Sequence, residues 1–161
     1  MMRTIKFSVI LMLIAQIASA ETIYGVPFDY KKFESAREYF QKENVDQIEH
    51  FCKNDVRSTM DLSTCSQFEY EKVNGALTRR LLEAEKEIKN SDQSYHAPGD
   101  AYTWPCFRKA QNSWQTCRDN ECYAEVYEAG PASMRFMDFW DCMTRITRLR
   151  LDEISPSKNQ D

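Results

Sequence analysis

The chain has 161 residues, 42% hydrophobic and 29% charged, which suits one globular domain and excludes a disordered or membrane-saturated protein. Twenty-one basic against 25 acidic residues leave a net charge of −4, an argument against a nucleic-acid-binding surface. Four glycines and five prolines are few for an all-β protein, and six cysteines with only two histidines speak against a zinc enzyme in an oxidising compartment.

At the N-terminus, Arg3 and Lys6 precede an apolar stretch from Phe7 to Ile17, and Ala18-Ser19-Ala20 supplies the small-x-small pattern that signal peptidase accepts. Residues 1–20 are therefore expected to be a signal peptide, with a mature chain starting at Glu21 in the periplasm or outside the cell. The stretch falls short of the ~20 residues a membrane span needs, so no membrane association is expected after cleavage. Without Arg3 and Lys6 the balance becomes 19 basic to 25 acidic residues, a net of −6 that attracts cationic partners.

Residues 21–50 are expected to form an N-terminal helical extension. Gly25 and Pro27 keep its start extended, Asp29 is a candidate N-cap, and Phe33, Ala36 and Phe40 recur at helical spacing. Val45, Ile48 and Phe51 suggest a further short helix. The longest helix is expected from Asp61 to Ile88, where Tyr70, Val73, Leu77, Leu81, Ala84 and Ile88 mark one face. Asn90 to Thr103, with Pro98 and Gly99, reads as an exposed loop.

Pro105 suits the first turn of the next helix, whose apolar face would carry Phe107, Ala110, Trp114 and Cys117 and continue to Cys122 and Val126. Gly130-Pro131 ends it, and Ser133 is a candidate cap for a last helix with Phe136, Phe139, Met143 and Ile146 as its stripe, extended by Leu149, Leu151 and Ile154. Residues 51–155 thus form a helical domain, and 156–161 a polar, disordered tail. No β-alternation persists. The expected fold class is all-α, a small antiparallel bundle of three main helices plus the N-terminal extension, stapled by disulfides.

Six cysteines allow fifteen pairings. Cys106 and Cys117 are eleven residues apart, ~16 Å along a continuous helix and beyond a bridge's ~7 Å reach. Levels in an antiparallel bundle favour Cys65–Cys122 and Cys117–Cys142, leaving Cys52 with Cys106; exchanging Cys117 with Cys122 is nearly as good. His50 stands two residues before Cys52, but without a Cys-x-x-Cys pair neither a metal site nor a redox site is expected.

Three blocks carry a resemblance. Cys65 to Leu82 (CSQFEYEKVNGALTRRLL), Arg108 to Cys122 (RKAQNSWQTCRDNEC) and Gly130 to Arg148 follow in the order and spacing of the LprI-like lysozyme-inhibitor N-terminal family. The third block contributes Gly130, Ser133, Met134, Cys142, Ile146, Thr147 and Arg148, and Cys52 fits an upstream family cysteine. The resemblance covers about residues 50–154. It has Asp where this chain has Asn74 and Asn where it has Thr78, which implies a hydrogen bond from Arg118 to Asn74 in place of a salt bridge. Cys106 and Cys117 are extra to the pattern and suggest a local bridge.

Gln111, Trp114, Arg118 and Cys122 fall on one helical side, facing Thr147 and Arg148. This set is read as structural, with Trp114 in the core and Arg118 satisfied by helix carbonyls, Asn74 or a carboxylate. Nucleophilic catalysis needs a Ser or Cys beside a base, and neither histidine is so placed; no enzyme activity, cofactor or metal is expected. What the resemblance implies is binding: a lysozyme-like hydrolase cuts glycan with two carboxyl groups in a cleft, and an inhibitor plugs that cleft with donors. The candidate plug is the 90–103 loop with Tyr95, His96 and Tyr102, Trp104 standing close behind. A second candidate is the Gly130–Arg135 turn with Ser133 and Arg135. The alternatives are an immunity protein against a cell-wall-degrading toxin, and a structural or envelope-stress protein without an enzyme target.

Overall fold

The computed structural model describes residues 28–41 and 43–156; the expected signal peptide and the tail beyond Pro156 lie outside the described residues. The chain divides into a segment up to Lys32 and a unit from Phe33 onward. In the first, Asp29 accepts the Lys31 amide at 3.1 Å, but it caps only a 3-10 turn, Tyr30–Lys32, and not the expected helix. The second unit holds five helices, and no strand occurs among the described residues. The protein is an all-α helical bundle.

Helix α1, Ala36–Tyr39, is one turn long and is capped by Ser35. Its first amide, on Ala36, and the Ser35 hydroxyl both donate to the Glu71 carboxylate, each at 3.0 Å. Gln67 donates to the Glu34 carbonyl at 2.7 Å beside them. Helix α2, Val45–Asn54, begins with a reciprocal capping box between Asn44 and Gln47. Ala36, Phe40, Ile48 and Phe68 of helix α3 bury one another, with Phe51, Cys52 and Cys65 around them. Burying each large side chain of that cluster contributes about 1.5–3 kcal/mol.

Helix α3, Thr59–Tyr95, runs 37 residues and starts on a second capping box, Ser58 with Asp61. It continues seven residues past the expected end at Ile88, because Asn90 to Tyr95 contains no proline or glycine to stop it. Helix α4, Thr103–Glu128, returns antiparallel, and helix α5, Arg135–Ile154, lies between the two and packs most extensively on α3. The bundle core comprises Tyr70, Val73, Leu77 and Ala84 of α3, Cys122 and Val126 of α4, and Phe139, Trp140, Cys142 and Met143 of α5. Ser133 does not cap α5: the N-cap position is Met134, with no side-chain hydrogen bond.

Two of the expected faces are rotated. Ala110 and Cys117 of α4 are exposed, because the side of α4 turned to the bundle carries Gln111, Trp114, Arg118 and Cys122 instead. On α5 Leu149 is exposed, while Trp140 and Thr147 are buried. Polar residues inside the seam disguised its direction.

The disulfides are Cys52–Cys65 and Cys122–Cys142. The expected Cys65–Cys122, Cys117–Cys142 and Cys52–Cys106 bridges are absent, and only the exchanged alternative contained Cys122–Cys142. Helix α2 folds back onto the first turns of α3, which brings Cys52 to Cys65. Across the α4–α5 turn, Cys122 and Cys142 stand equally far in sequence from Ala132, so they are level. Cys106 and Cys117 are exposed and unbridged, and the suggested local bridge between them does not form.

Asp61 ties the N-terminal helices to α3. Its carboxylate accepts the Tyr39 hydroxyl at 2.6 Å and the amides of Ser58 at 2.9 Å and Arg57 at 3.1 Å. The Tyr39 bond first, then those of Arg57 and Ser58, hold its pKa down to about 2 against an ordinary value of 3.8. A depressed carboxyl stabilises the fold above pH ~4, and that contribution is lost as pH falls through about 2. Acid titration of thermal stability should therefore show a loss between pH ~4 and ~2 that Asp61→Asn, already destabilised at neutral pH, largely lacks.

Candidate functional site

Arg80 marks where the three-helix bundle ends. Its Nε donates to the Ile154 carbonyl at 2.8 Å, closing the C-terminus of α5, while its two terminal nitrogens grip Glu87 at 3.0 and 2.8 Å. Glu83 adds a 3.6 Å ion pair, so the carboxylates at 83 and 87 serve this arginine. The fifteen residues of α3 beyond it extend about 22 Å past the end of α5. They form, with the start of α4, a two-helix hairpin in which Leu81 and Ile88 are only half-buried and Leu82 is exposed.

The hairpin's tip is well held. Helix α3 stops at His96, and Ala97-Pro98-Gly99-Asp100 makes a tight turn in which the Asp100 amide donates to the Ala97 carbonyl at 3.1 Å. Proline then glycine at φ +97° are the residues a type II turn demands. Tyr102, at the N-cap position of α4, makes no side-chain cap, and Asp92 of α3 takes that role. Its two oxygens accept the Thr103 and Trp104 amides at 3.0 Å each. Burial works against ionising Asp92, yet those amides and the Thr103 hydroxyl outweigh it and keep the carboxyl below its usual range.

Three aromatic rings crown this frame. The His96 imidazole stacks on the Tyr102 ring at 4.1 Å with planes 12° apart. Tyr102 is 56% exposed and Tyr95 85% exposed. Trp104 stacks on Phe107 at 5.9 Å and carries the Lys89 ammonium 5.5 Å over its face. Lys89, Asp92, Gln93, Tyr102, Trp104 and Pro105 line a shallow groove beside the tip. The loop is half its expected length, and it is this shortening that brings Tyr95, His96 and Tyr102 together. Asp92 carries no signal in the sequence because it falls within the expected exposed loop, Asn90 to Thr103, and Lys89 stands just before it.

The second candidate is a different kind of place. Arg135 is buried; one terminal nitrogen donates to the Gly130 carbonyl at 2.8 Å and its guanidinium covers the Phe136 ring at 4.7 Å. It closes a turn that needs Gly130 at φ +59°, and does not point outward as a donor. Ser133 is exposed. Helix α4, 26 residues long, separates this turn from the aromatic tip by about 39 Å, so the two cannot form one site.

The motif residues of α4 meet inside the bundle. Arg118, 2% exposed, donates to Asp119 through Nε at 3.1 Å and a terminal nitrogen at 2.7 Å, and to the Thr147 hydroxyl at 3.2 Å. Its guanidinium lies 5.1 Å from the Trp114 ring centre and 5.7 Å from that of Tyr70. The carboxylate expected on Arg118 is thus that of its chain neighbour, Asp119. One turn away, Arg150 donates to Gln111 at 3.0 Å and covers Trp114 at 5.9 Å. Trp114 itself is half-buried, a plate between two arginines. Arg148 is not part of this seam; it is exposed and pairs with Glu69 at 2.7 Å. Among the described residues, no group of three or more His, Cys, Asp or Glu side chains is placed to hold a metal.

Residues 52–154 match the family described as lysozyme inhibitor LprI. The chain belongs to that family. The matched span takes in both disulfides, the Arg118 seam and the aromatic tip, while α1 lies outside it. The chain is also similar to an uncharacterized protein of Rhizobium meliloti (strain 1021), 32% identical over 118 residues that cover 69% of this chain and 81% of the relative. No solved structure matches it significantly. The LprI description is that of a non-enzymatic inhibitor and implies a protein partner such as lysozyme; the disulfides agree with an extracytoplasmic location. Among the described residues, no helix is long and apolar enough to cross a membrane.

The seam makes a sharp stability test. Arg118→Ala breaks the buried ion pair with Asp119 and the bond to the Thr147 hydroxyl, so it should cost about 3–5 kcal/mol in urea unfolding. The double variant Arg118→Met, Asp119→Leu, which removes both charges, should lose less than Arg118→Ala alone.

Proposed function

We propose that the protein is an exported, periplasmic inhibitor of lysozyme-type peptidoglycan-cleaving enzymes, and that the α3–α4 tip is the part that enters the enzyme's cleft. Membership of the LprI family supports the partner class, and the arginine-and-lysine start, apolar run and Ala18-Ser19-Ala20 pattern support export. One observation carries the choice of site. Exposed Tyr95 and the stacked His96–Tyr102 pair stand at the end of a hairpin whose geometry Asp92 and the Pro98-Gly99 turn hold in advance.

The chemistry is complementary. A glycoside hydrolase of this type presents two carboxyl groups, one protonated and one ionised, on opposite sides of a cleft. Phenol hydroxyls and an imidazole N–H donate to such groups, and tyrosine rings bring large contact area with little rotamer entropy to lose. A tip ordered before contact loses less freedom on binding than a flexible loop. The net acidic chain favours encounter with a cationic enzyme, an attraction that salt screens.

Titration of a lysozyme's cell-wall lysis with the purified protein should give saturable inhibition. Tyr95→Ala and Tyr102→Ala should each raise the inhibition constant at least about tenfold with the fold intact, as anchor residues do. Ser133→Ala, about 39 Å away, should leave it unchanged. Unaltered inhibition by both tip variants would place the contact elsewhere, and no inhibition of any muramidase would overturn the function.

A further inference from the structure

The groove beside the tip holds about 280 Å³ between the last turns of α3 and the first turn of α4. Lys89, Asp92 and Gln93, three and four residues apart, share one side of α3. Tyr102, Trp104 and Pro105 supply the α4 side. His96 covers one face of Tyr102 and lines a separate hollow with Asp100, so the groove meets Tyr102 on its remaining surface.

The charges around the groove are neutralised within the chain. The Lys89 ammonium pairs with Glu85 at 2.6 Å, and both Asp92 oxygens accept amides of α4. An ionic ligand of either sign therefore meets no free countercharge. What stays open is uncharged. Among the described residues, the Trp104 indole N–H, the Tyr102 hydroxyl and the Gln93 side-chain amide form no hydrogen bond within the chain. A largely covered indole ordinarily donates to an acceptor, and that of half-buried Trp104 is not sealed from solvent.

An aromatic surface rimmed by neutral donors and acceptors suits a ligand with an apolar face and hydroxyls around its edge. We infer that the groove binds one neutral pyranose ring of an oligosaccharide, stacked on Tyr102 and hydrogen-bonded by the Trp104 indole N–H and the Gln93 amide. Tyr102 is the platform because it is 56% exposed, whereas Trp104 already carries Phe107 and the Lys89 ammonium against its ring. The Gln93 amide offers a donor and an acceptor side by side, the pair that two adjacent hydroxyls require. The volume suits a single ring and lies at the small end of the range for small-molecule sites. Asp92 holds the start of α4 in place before any sugar arrives, so little order is lost on binding. This site needs no enzyme partner and does not rest on the inhibitor reading.

The test is saturation-transfer NMR on the purified full chain with cellotriose and with triacetylchitotriose. The two sugars differ only at the second carbon of each ring, so comparing them shows whether that position is read. Saturable binding of either one is expected, with the strongest transfer to the C–H protons of one ring face. Gln93→Ala and Tyr102→Ala should each weaken it at least about tenfold, while Tyr102→Phe, which keeps the ring, should retain most of it. Gln93 is exposed and holds nothing in the fold, so its variant remains informative if Tyr102→Ala disturbs the His96 stack. Failure of both trisaccharides to bind, or unchanged binding by both alanine variants, would overturn the inference. Sugar binding by a protein that inhibits no muramidase would leave it standing, and inhibition without sugar binding would refute it alone.

Discussion

A guanidinium with almost no contact to water is the constraint around which this bundle is organised. Arg118 is neutralised by Asp119, fixed by the Thr147 hydroxyl, and sandwiched against Trp114 and Tyr70. The ion pair lies within α4, while the Thr147 hydroxyl comes from α5 and the Tyr70 ring from α3, so the guanidinium is fully enclosed only when the three helices are in register. A desolvated ion pair is a poor source of net stability but a strict condition on geometry. Next to it, Cys122–Cys142 fixes the same α4–α5 register covalently. The two devices are complementary: the bridge restrains the unfolded chain, and the arginine penalises misaligned compact states.

Rigidity at the seam has its counterpart in the hairpin beyond Arg80. There the third helix has ended, the apolar residues other than the buried Ala84 are half-buried or exposed, and order comes from local devices: an aspartate accepting two amides, a proline–glycine turn, and ring stacking. The molecule thus separates its functions along α3. The lower part supplies stability, and the upper part displays aromatic surface that contributes little to the core. Substitution at the tip and substitution at the seam act on different properties, as expected for sites with no shared partners.

Much of this was legible in the chain. The 3,4 spacing of Tyr70, Val73, Leu77 and Ala84 identified the core face of α3, and Gly130-Pro131 identified the last turn between helices. What misled was polar burial. Periodicity assumes that the inward stripe is apolar, but α4 turns Gln111 and Arg118 inward and leaves Ala110 and Cys117 in solvent. The cysteine pairing failed for a related reason: it assumed that an even number of cysteines leaves none free. Two here are free. The tip residues Tyr95, His96 and Tyr102 were recognised as types, but their assembly depended on α3 running past Ile88, which a cluster of serine, aspartate and asparagine did not announce.

The end of α5 at Arg80 also makes reach a separable variable. Because α5 ends at the level of Arg80, below the hairpin's outer turns, matched insertion of about seven residues in each limb would raise the aromatic crown by ~10 Å while preserving the face it presents. The length of this mast sets how far the aromatic crown projects, and changing it leaves every buried contact of the seam untouched.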